Sequence, residues 1–372
     1  MKEILLHLGI PKTGSTALQV FLARNYGALL SRSIDYFRMG EFDFGLMGKI
    51  AAGNGVHVAC SLLPETHRRR VADGERYFNE LDQMIERSPA ERGVLSSELF
   101  ASADRRMLAA FLSRLAAKGV SVQAIYYIRR QDQILSSSYI QQVRLHGHTE
   151  PPDAYVRDLA ERNEILRYHS FYRTMTGLFG KENVKCRTYE EAAASENGVF
   201  GDFLEAAGIA GDGLSFAVPT VNASISDRQV AILLLLNRFR PGKRFVEMVI
   251  ENADKDPRGA GRHSLLSRRL RVEIASMFQE ENARLANEYF ERPELFAPDP
   301  LDGPEDPLAS SELTAEDLII FLGGLLVRFD GRLTETGKIA RAAAAQGGVE
   351  LPEPGLGKRM AGEATLEAPA EL

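Results

Sequence analysis

The stretch Ile4-Leu5-Leu6-His7-Leu8-Gly9-Ile10-Pro11-Lys12-Thr13-Gly14-Ser15-Thr16-Ala17-Leu18 decides the fold. Its first part is apolar apart from His7, with little polar alternation, which reads as a strand buried on both faces in a parallel sheet. The strand runs into Pro11-Lys12-Thr13-Gly14-Ser15-Thr16, and from about Ser15 the chain places Leu18, Phe21 and Leu22 at helical spacing. A strand, a short loop and a helix N-terminus in succession present backbone N–H groups and the positive end of a helix dipole to an anion.

The loop differs from an ATP-binding P-loop in the place of its lysine. In G-x-x-x-x-G-K-[ST] the lysine follows the second glycine, and the next hydroxyl holds magnesium. Gly9 and Gly14 keep the glycine spacing, but Ser15 follows Gly14 and Lys12 lies inside the loop. Lys12 therefore approaches a bound phosphate from another side. The sequence offers no apolar strand ending in an Asp to complete a magnesium site. The loop reads as one that holds a phosphate group without a metal, with Lys12 supplying the charge.

A second junction of the same kind follows at residues 120–128, an apolar strand that ends in Tyr126-Tyr127-Ile128-Arg129-Arg130-Gln131-Asp132-Gln133-Ile134-Leu135-Ser136-Ser137-Ser138-Tyr139. Asp132 reads as the N-cap of a helix reaching about Leu145. Arginine is the residue type that grips a phosphate through a charged, forked donor, and a serine near a helix start adds a hydroxyl. Arg129 with Ser137 and Arg130 with Ser138 have the same spacing.

Together these residues resemble the two nucleotide motifs of sulfotransferases, enzymes that use 3′-phosphoadenosine 5′-phosphosulfate (PAPS) as donor. Pro11 to Thr16 is similar to their 5′-phosphosulfate loop. The second run is similar to their 3′-phosphate motif, a strand ending in arginine with a serine eight residues later; Arg129 with Ser137 is preferred because it keeps the Ser-x-Tyr order. Arg130-Gln131 departs from the Asp/Asn-Pro pair of many members. The resemblance implies an α/β fold: a three-layer sandwich with a largely parallel central sheet, a P-loop-like nucleotide fold and helical insertions. It also implies PAPS as co-substrate, no metal, and in-line transfer to a hydroxyl of an acceptor, taken to be a carbohydrate or glycolipid. Lys12, Thr13, Gly14, Ser15 and Thr16 would hold the 5′-phosphosulfate, and Arg129 and Ser137 the 3′-phosphate. Lys12 would offset the charge on the leaving phosphate. The family places a His or Glu base near the end of the strand between the two motifs, where Ser96-Ser97-Glu98-Leu99-Phe100 stands, so Glu98 is the expected base. A carboxylate beside Leu99 and Phe100 is of a kind whose pKa rises. His7, inside the first strand, is the runner-up and reads rather as a packed core histidine; His57 and His67 lie in the helical region expected to border the acceptor.

Weaker similarities extend the match to about residue 290. Leu178-Phe179-Gly180-Lys181-Glu182-Asn183-Val184 is like a helix-to-strand segment that follows the 3′-phosphate motif, and Asn222-Ala223-Ser224-Ile225-Ser226 is like a run in bacterial members. Arg258-Gly259-Ala260-Gly261-Arg262 matches a 3′-phosphate loop of cytosolic-type members poorly and reads as a surface loop. Two other functions compete. A nucleotide-dependent phosphotransferase would need ATP and magnesium, against which the place of Lys12 speaks. A non-catalytic nucleotide-binding module would bind the donor product without transferring anything.

Composition sets the outer bounds. With 372 residues, 44% hydrophobic and 26% charged, the chain is long enough for a large globular core. A net charge of -6 implies no general affinity for nucleic acid. Basic residues cluster at Arg68-Arg69-Arg70, which reads as a solvated helix face, at Arg129-Arg130, and over 255–271. Two cysteines, Cys60 and Cys186, imply neither a disulfide framework nor a metal site and point to a reducing, cytoplasmic setting. The first residues lack the pattern of a signal peptide, and no apolar stretch reaches membrane-spanning length; 318–327 is the longest candidate and contains Gly323-Gly324. Oligomeric state is unreadable.

Along the chain, strands are predicted at 4–8, 33–37, 93–100, 120–128 and 184–189. Helices are predicted from 15, over much of 40–90, around Leu108 to Leu115, to 145, over 161–179, at 230–239 behind a Ser226/Gln229 capping box, and at 265–290. The β-α-β order predicts a parallel sheet. The domain reading is a sulfotransferase domain at 1–292, a Pro/Asp-rich loop and an apolar helix packed on it at 293–340, and a disordered tail at 341–372.

Overall fold

In the computed structural model, which describes residues 1–49, 52–218, 225–253 and 265–301, Glu305 and a few isolated positions from 322 to 338, five strands form one sheet with every neighbouring pair parallel. The strands are β1 (Glu3–Leu8), β2 (Ile34–Tyr36), β3 (Arg92–Ser97), β4 (Ser121–Ile128) and β5 (Val184–Thr188), in the order β2-β3-β1-β4-β5. β1 is central, and Ile4, Leu5, Leu6 and Leu8 have no exposed surface, as its unbroken apolar run requires. β5, at an edge, alternates buried and half-buried residues.

Among the described residues, nine α-helices connect the strands up to β5: α1 (Ser15–Arg24), α2 (Tyr26–Leu30), α3 (Phe42–Leu46), α4 (Val56–Leu62), α5 (Glu75–Arg87), α6 (Arg105–Ala117), α7 (Gln131–His146), α8 (Pro152–Arg162) and α9 (Tyr168–Phe179). After β5 come α10 (Tyr189–Ala194), α11 (Gly198–Ala206), α12 (Asp227–Asn237), α13 (Lys243–Ala253) and α14 (Arg268–Glu288). On one face of the sheet, Leu5, Val94, Ile125 and Tyr127 pack with Leu18, Phe21 and Leu22 of α1 and with Phe203 and Leu204 of α11. Each of these large side chains contributes roughly 2 kcal/mol on burial. On the other face, Tyr126 meets Phe171 of α9, ring centroids 5.2 Å apart. The result is the helix–sheet–helix sandwich expected from the sequence. Buried Asp202 of α11 fastens the layers, accepting from the Tyr127 hydroxyl at 2.9 Å and from Arg187 Nη2 at 2.5 Å.

Register brings the carboxyl ends of the central strands level: Leu8 stands beside Ser97, and His7 beside Ser96 and Ile125. In a parallel α/β sheet this edge, where connections leave toward both sides, is where ligands bind. Asn54 ties the connection after β2 to β3. Fully buried, it accepts from Ser96 N at 2.8 Å and donates to Phe37 O and Val94 O.

Four local expectations change. β3 stops at Ser97 rather than continuing to Phe100, because the Ser97 side chain accepts the Leu99 N–H and turns the chain into a 3-10 helix, Glu98–Ser102. Asp132 does not cap α7: Arg130 holds the cap position, and Asp132, in the first turn, pairs with its guanidinium. The helix expected over 161–179 is broken, since the Asn163 side chain accepts from Ile165 N and ends α8 before α9 begins. Arg68, Arg69 and Arg70 lie on no helix; they belong to the loop between α4 and α5. The Ser226/Gln229 capping box forms as read.

The chain divides into two compact units, Met1–Val246 with Pro257–Glu312, and Glu247–Asp256 with Leu313–Leu372. The site lies in the first. Residues 222–224, the loop at 258–262 and the tail at 341–372 lie outside the described residues, as does most of 318–327, of which Leu322 and Leu326 are helical and exposed. No described helix is long and apolar enough to cross a membrane.

Candidate active site

Three strand ends meet at the carboxyl edge of the sheet. The first is the loop after β1. Gly9 donates its N–H to Ser97 O at 3.0 Å, and the loop lies so close to the end of β3 that a Cβ on Gly9 would stand 2.9 Å from Ser15 Oγ and 3.0 Å from Glu98 Cα. Glycine at this position lets the loop and Glu98 abut. Two residues turn left-handed, Lys12 at φ 70° and Gly14 at φ 82°. Thr13 Oγ1 donates to Ile10 O at 2.7 Å and closes the turn. No side chain caps α1, and among the described residues the backbone N–H groups of Thr13, Gly14, Ser15 and Thr16 have no hydrogen-bond acceptor. Four donors left open at a helix start make an anion cradle.

The second strand end brings Glu98. Its side chain keeps some contact with solvent yet lies deep in the protein. Burial pushes its pKa above the ordinary carboxylate value, while the charges of Lys12 and Arg69 pull the other way. Lys12 is half-buried, and burial lowers its pKa; Glu98 opposes that shift, and Arg144 and Arg129 add to it. An acid with a raised pKa and an amine with a lowered one thus act on each other beside the open cradle, an arrangement of the kind found where protons are moved.

The third brings Arg129. Its Nη1 donates to Lys12 O at 2.9 Å, its Nε donates to Gln133 Oε1 at 2.9 Å, and its guanidinium carbon lies 4.7 Å from the centroid of the Tyr189 ring. The same ring lies against Gly14, where an added Cβ would stand 3.3 Å from Tyr189 Cε2. The Tyr168 hydroxyl donates to Arg129 O. Ser137 stands one turn after Gln133 on α7, hence on the helix face that meets Arg129. Arg130 is committed elsewhere: its side chain pairs with Asp132 at 3.1 Å and with Asp299 at 3.0 Å, and its N–H donates to Glu190. Of the two arginines, Arg129 faces the loop.

Of the histidines, His7 is buried, with Nδ1 2.8 Å from Ser96 Oγ. That oxygen also accepts from Gln19 Nε2 at 3.2 Å, and burial lowers the His7 pKa to about 4, which keeps the ring neutral. His7 is a core residue, as read. His57 stacks on Tyr77, and His67 Nδ1 accepts from Arg69 N.

Beside the loop lies a cavity of about 280 Å³, bounded by Ile10 and Pro11, by Ser138 and Gln142 of α7, by Tyr155 of α8 and by Arg68. Sequence reasoning missed Tyr189, Gln133, Arg69 and Arg144. Tyr189 carried a signal, as the residue just past the carboxyl end of a parallel strand; the others carried none. Among the described residues no group of His, Cys, Asp and Glu is placed to hold a metal.

No family model matches the chain, and no curated protein does. Among solved structures, the chain is similar to a sulfotransferase from Alicyclobacillus acidocaldarius at 16% identity and a TM-score of 0.38, covering 66% of this chain and 95% of that one. It is also similar to the sulfotransferase domain of the Synechococcus PCC 7002 olefin synthase, at 16% identity and a TM-score of 0.35, covering 74% and 94%.

Proposed function

We propose that this chain is a sulfotransferase that moves a sulfuryl group from PAPS to a hydroxyl of a carbohydrate or glycolipid acceptor. The observation that carries this reading is the bond from Arg129 to the Lys12 carbonyl, which joins a second phosphate-type junction to the first across the sheet edge. One such junction suits any anion; two, side by side, suit a nucleotide with phosphate groups at both ends. The residues fit that donor. The open N–H groups of Thr13 to Thr16 and the hydroxyls of Ser15 and Thr16 would hold its 5′ end. Arg129, with no carboxylate partner among the described residues, and Ser137 would hold its 3′-phosphate.

When bound, PAPS supplies a sulfuryl group activated by its bond to a phosphate. The chain's own residues supply positioning and charge, the larger part of catalysis in transfers of this kind. Glu98, as carboxylate, takes the proton of the acceptor hydroxyl. The Lys12 ammonium offsets the negative charge left on the donor's phosphate oxygen. The cavity lined by Ile10 and Pro11 of the loop would take the acceptor.

Thermal unfolding with PAP (the desulfated donor product), with ATP plus magnesium, and with neither tests the reading. PAP should raise the midpoint, as a ligand of the folded state does. Stabilisation by ATP–magnesium alone would replace the reading with a phosphotransferase. Stabilisation by PAP, with no labelled sulfate transferred from PAPS to any hydroxyl acceptor, would leave a binding module.

A further inference from the structure

Resting on that reading, we propose that the acceptor itself is anionic: a hydroxyl compound that also carries a carboxylate, sulfate ester or phosphate ester, recognised by Arg68 with Arg69 and Arg144. The protein is acidic overall, and several of its arginines are paired. Arg92, Arg114, Arg130, Arg157, Arg187 and Arg271 each hold a carboxylate. Arg68, Arg69 and Arg144 form no salt bridge with a carboxylate among the described residues. Arg68 forms part of the cavity wall, the charge of Arg69 acts on Glu98, and that of Arg144 acts on Lys12.

The donor does not account for Arg68. Its proposed ligands are the loop from Lys12 to Thr16 and Arg129, none of which lines the cavity, whereas Arg68 does. No Asp or Glu lines that cavity among the described residues, so no carboxylate on its wall offsets Arg68 or repels a negative group. Ser138, Gln142 and Tyr155 on its wall supply the hydrogen-bonding groups a polyhydroxylated compound needs. Arg68 is exposed, and a guanidinium without a carboxylate partner is suited to a forked pair with a carboxylate, sulfate or phosphate. The same positive field would raise the local concentration of such an acceptor.

The test measures binding of four probes to the full chain saturated with PAP: methyl glucoside, methyl glucuronide, glucose 6-sulfate and glucose 6-phosphate. At least one charged sugar should bind about tenfold more tightly than the neutral one, and which of the three does so identifies the anion. Arg68→Gln should remove most of that preference while leaving methyl glucoside binding and the PAP-induced rise in melting temperature unchanged. Adding salt should shrink the preference in the parent protein. Equal binding of all four, preference for the neutral sugar, no binding of any at millimolar concentration, or an Arg68→Gln effect equal on neutral and charged probes would each overturn the proposal. Failure of PAP to stabilise the parent protein is a separate result, which removes the sulfotransferase reading itself.

Discussion

At the scale of single residues, the proposed chemistry rests on Lys12 and Glu98. Burial raises the Glu98 pKa and lowers that of Lys12. The base must be ionised, so the transfer rate should climb with pH through the raised Glu98 value, above the ordinary carboxylate range. The lysine must be charged, so the rate should fall at alkaline pH through the lowered Lys12 value, below the ordinary amine range. The expected profile of kcat against pH is a bell narrower than two unperturbed groups would give. Glu98→Gln should lower kcat about 10²- to 10⁴-fold and abolish the acid limb, with PAP binding nearly intact. A variant that keeps its transfer rate removes Glu98 as base. Lys12→Ala should cost a comparable factor in kcat and also weaken PAP, because the ammonium serves both binding and the leaving group.

At the scale of elements, the bond from Arg129 to Lys12 O joins the β1–α1 loop and the β4–α7 junction into the proposed clamp. Arg129→Lys keeps the charge but loses the fork that reaches Lys12 O and Gln133 together. PAP affinity measured by calorimetry should fall by about tenfold or more, with stability little changed. Gly14→Ala places a side chain at φ 82° and 3.3 Å from the Tyr189 ring. It should cost about 1–2 kcal/mol in urea unfolding and loosen the cradle. Asn54→Ala should be at least as damaging to folding, since it leaves Ser96 N, Phe37 O and Val94 O without their buried partner. The connection it anchors leads into α4, at the flank of Glu98.

For the whole molecule, His7 couples the sheet to pH. Its folded pKa of about 4 lies below the ordinary 6.5, so the unfolded chain binds a proton that the folded one refuses. Stability from this group is complete above pH 6.5 and is lost as pH falls toward 4, by up to about 3 kcal/mol. Unfolding free energies at pH 7 and pH 5 should differ less in His7→Gln than in the parent protein; equal differences would mean that His7 is not buried as a neutral ring. The network behind it, His7 to Ser96 to Gln19, spans β1, β3 and α1, so acid should weaken the sheet centre from which the clamp projects.

The sequence by itself determined the elements and the order of the two phosphate-type junctions. An unbroken apolar run, a loop with Gly14 and helical spacing after it are local properties, and they predict β1, α1, β4 and α7 to within a residue or two. It also determined that Lys12 sits inside the loop. Tertiary structure decided which groups share a site. Arg129 and Lys12 are 117 residues apart and meet only because the sheet order sets β4 beside β1. Register and the Ser97 turn, not strand periodicity, aim Glu98 at the loop. Arg68 and Arg69 read as an ordinary charged run until the fold laid their loop against the cavity and Glu98. Periodicity and propensity act over a few residues, whereas burial, pKa and the pairing or isolation of a charge depend on what the rest of the chain brings alongside.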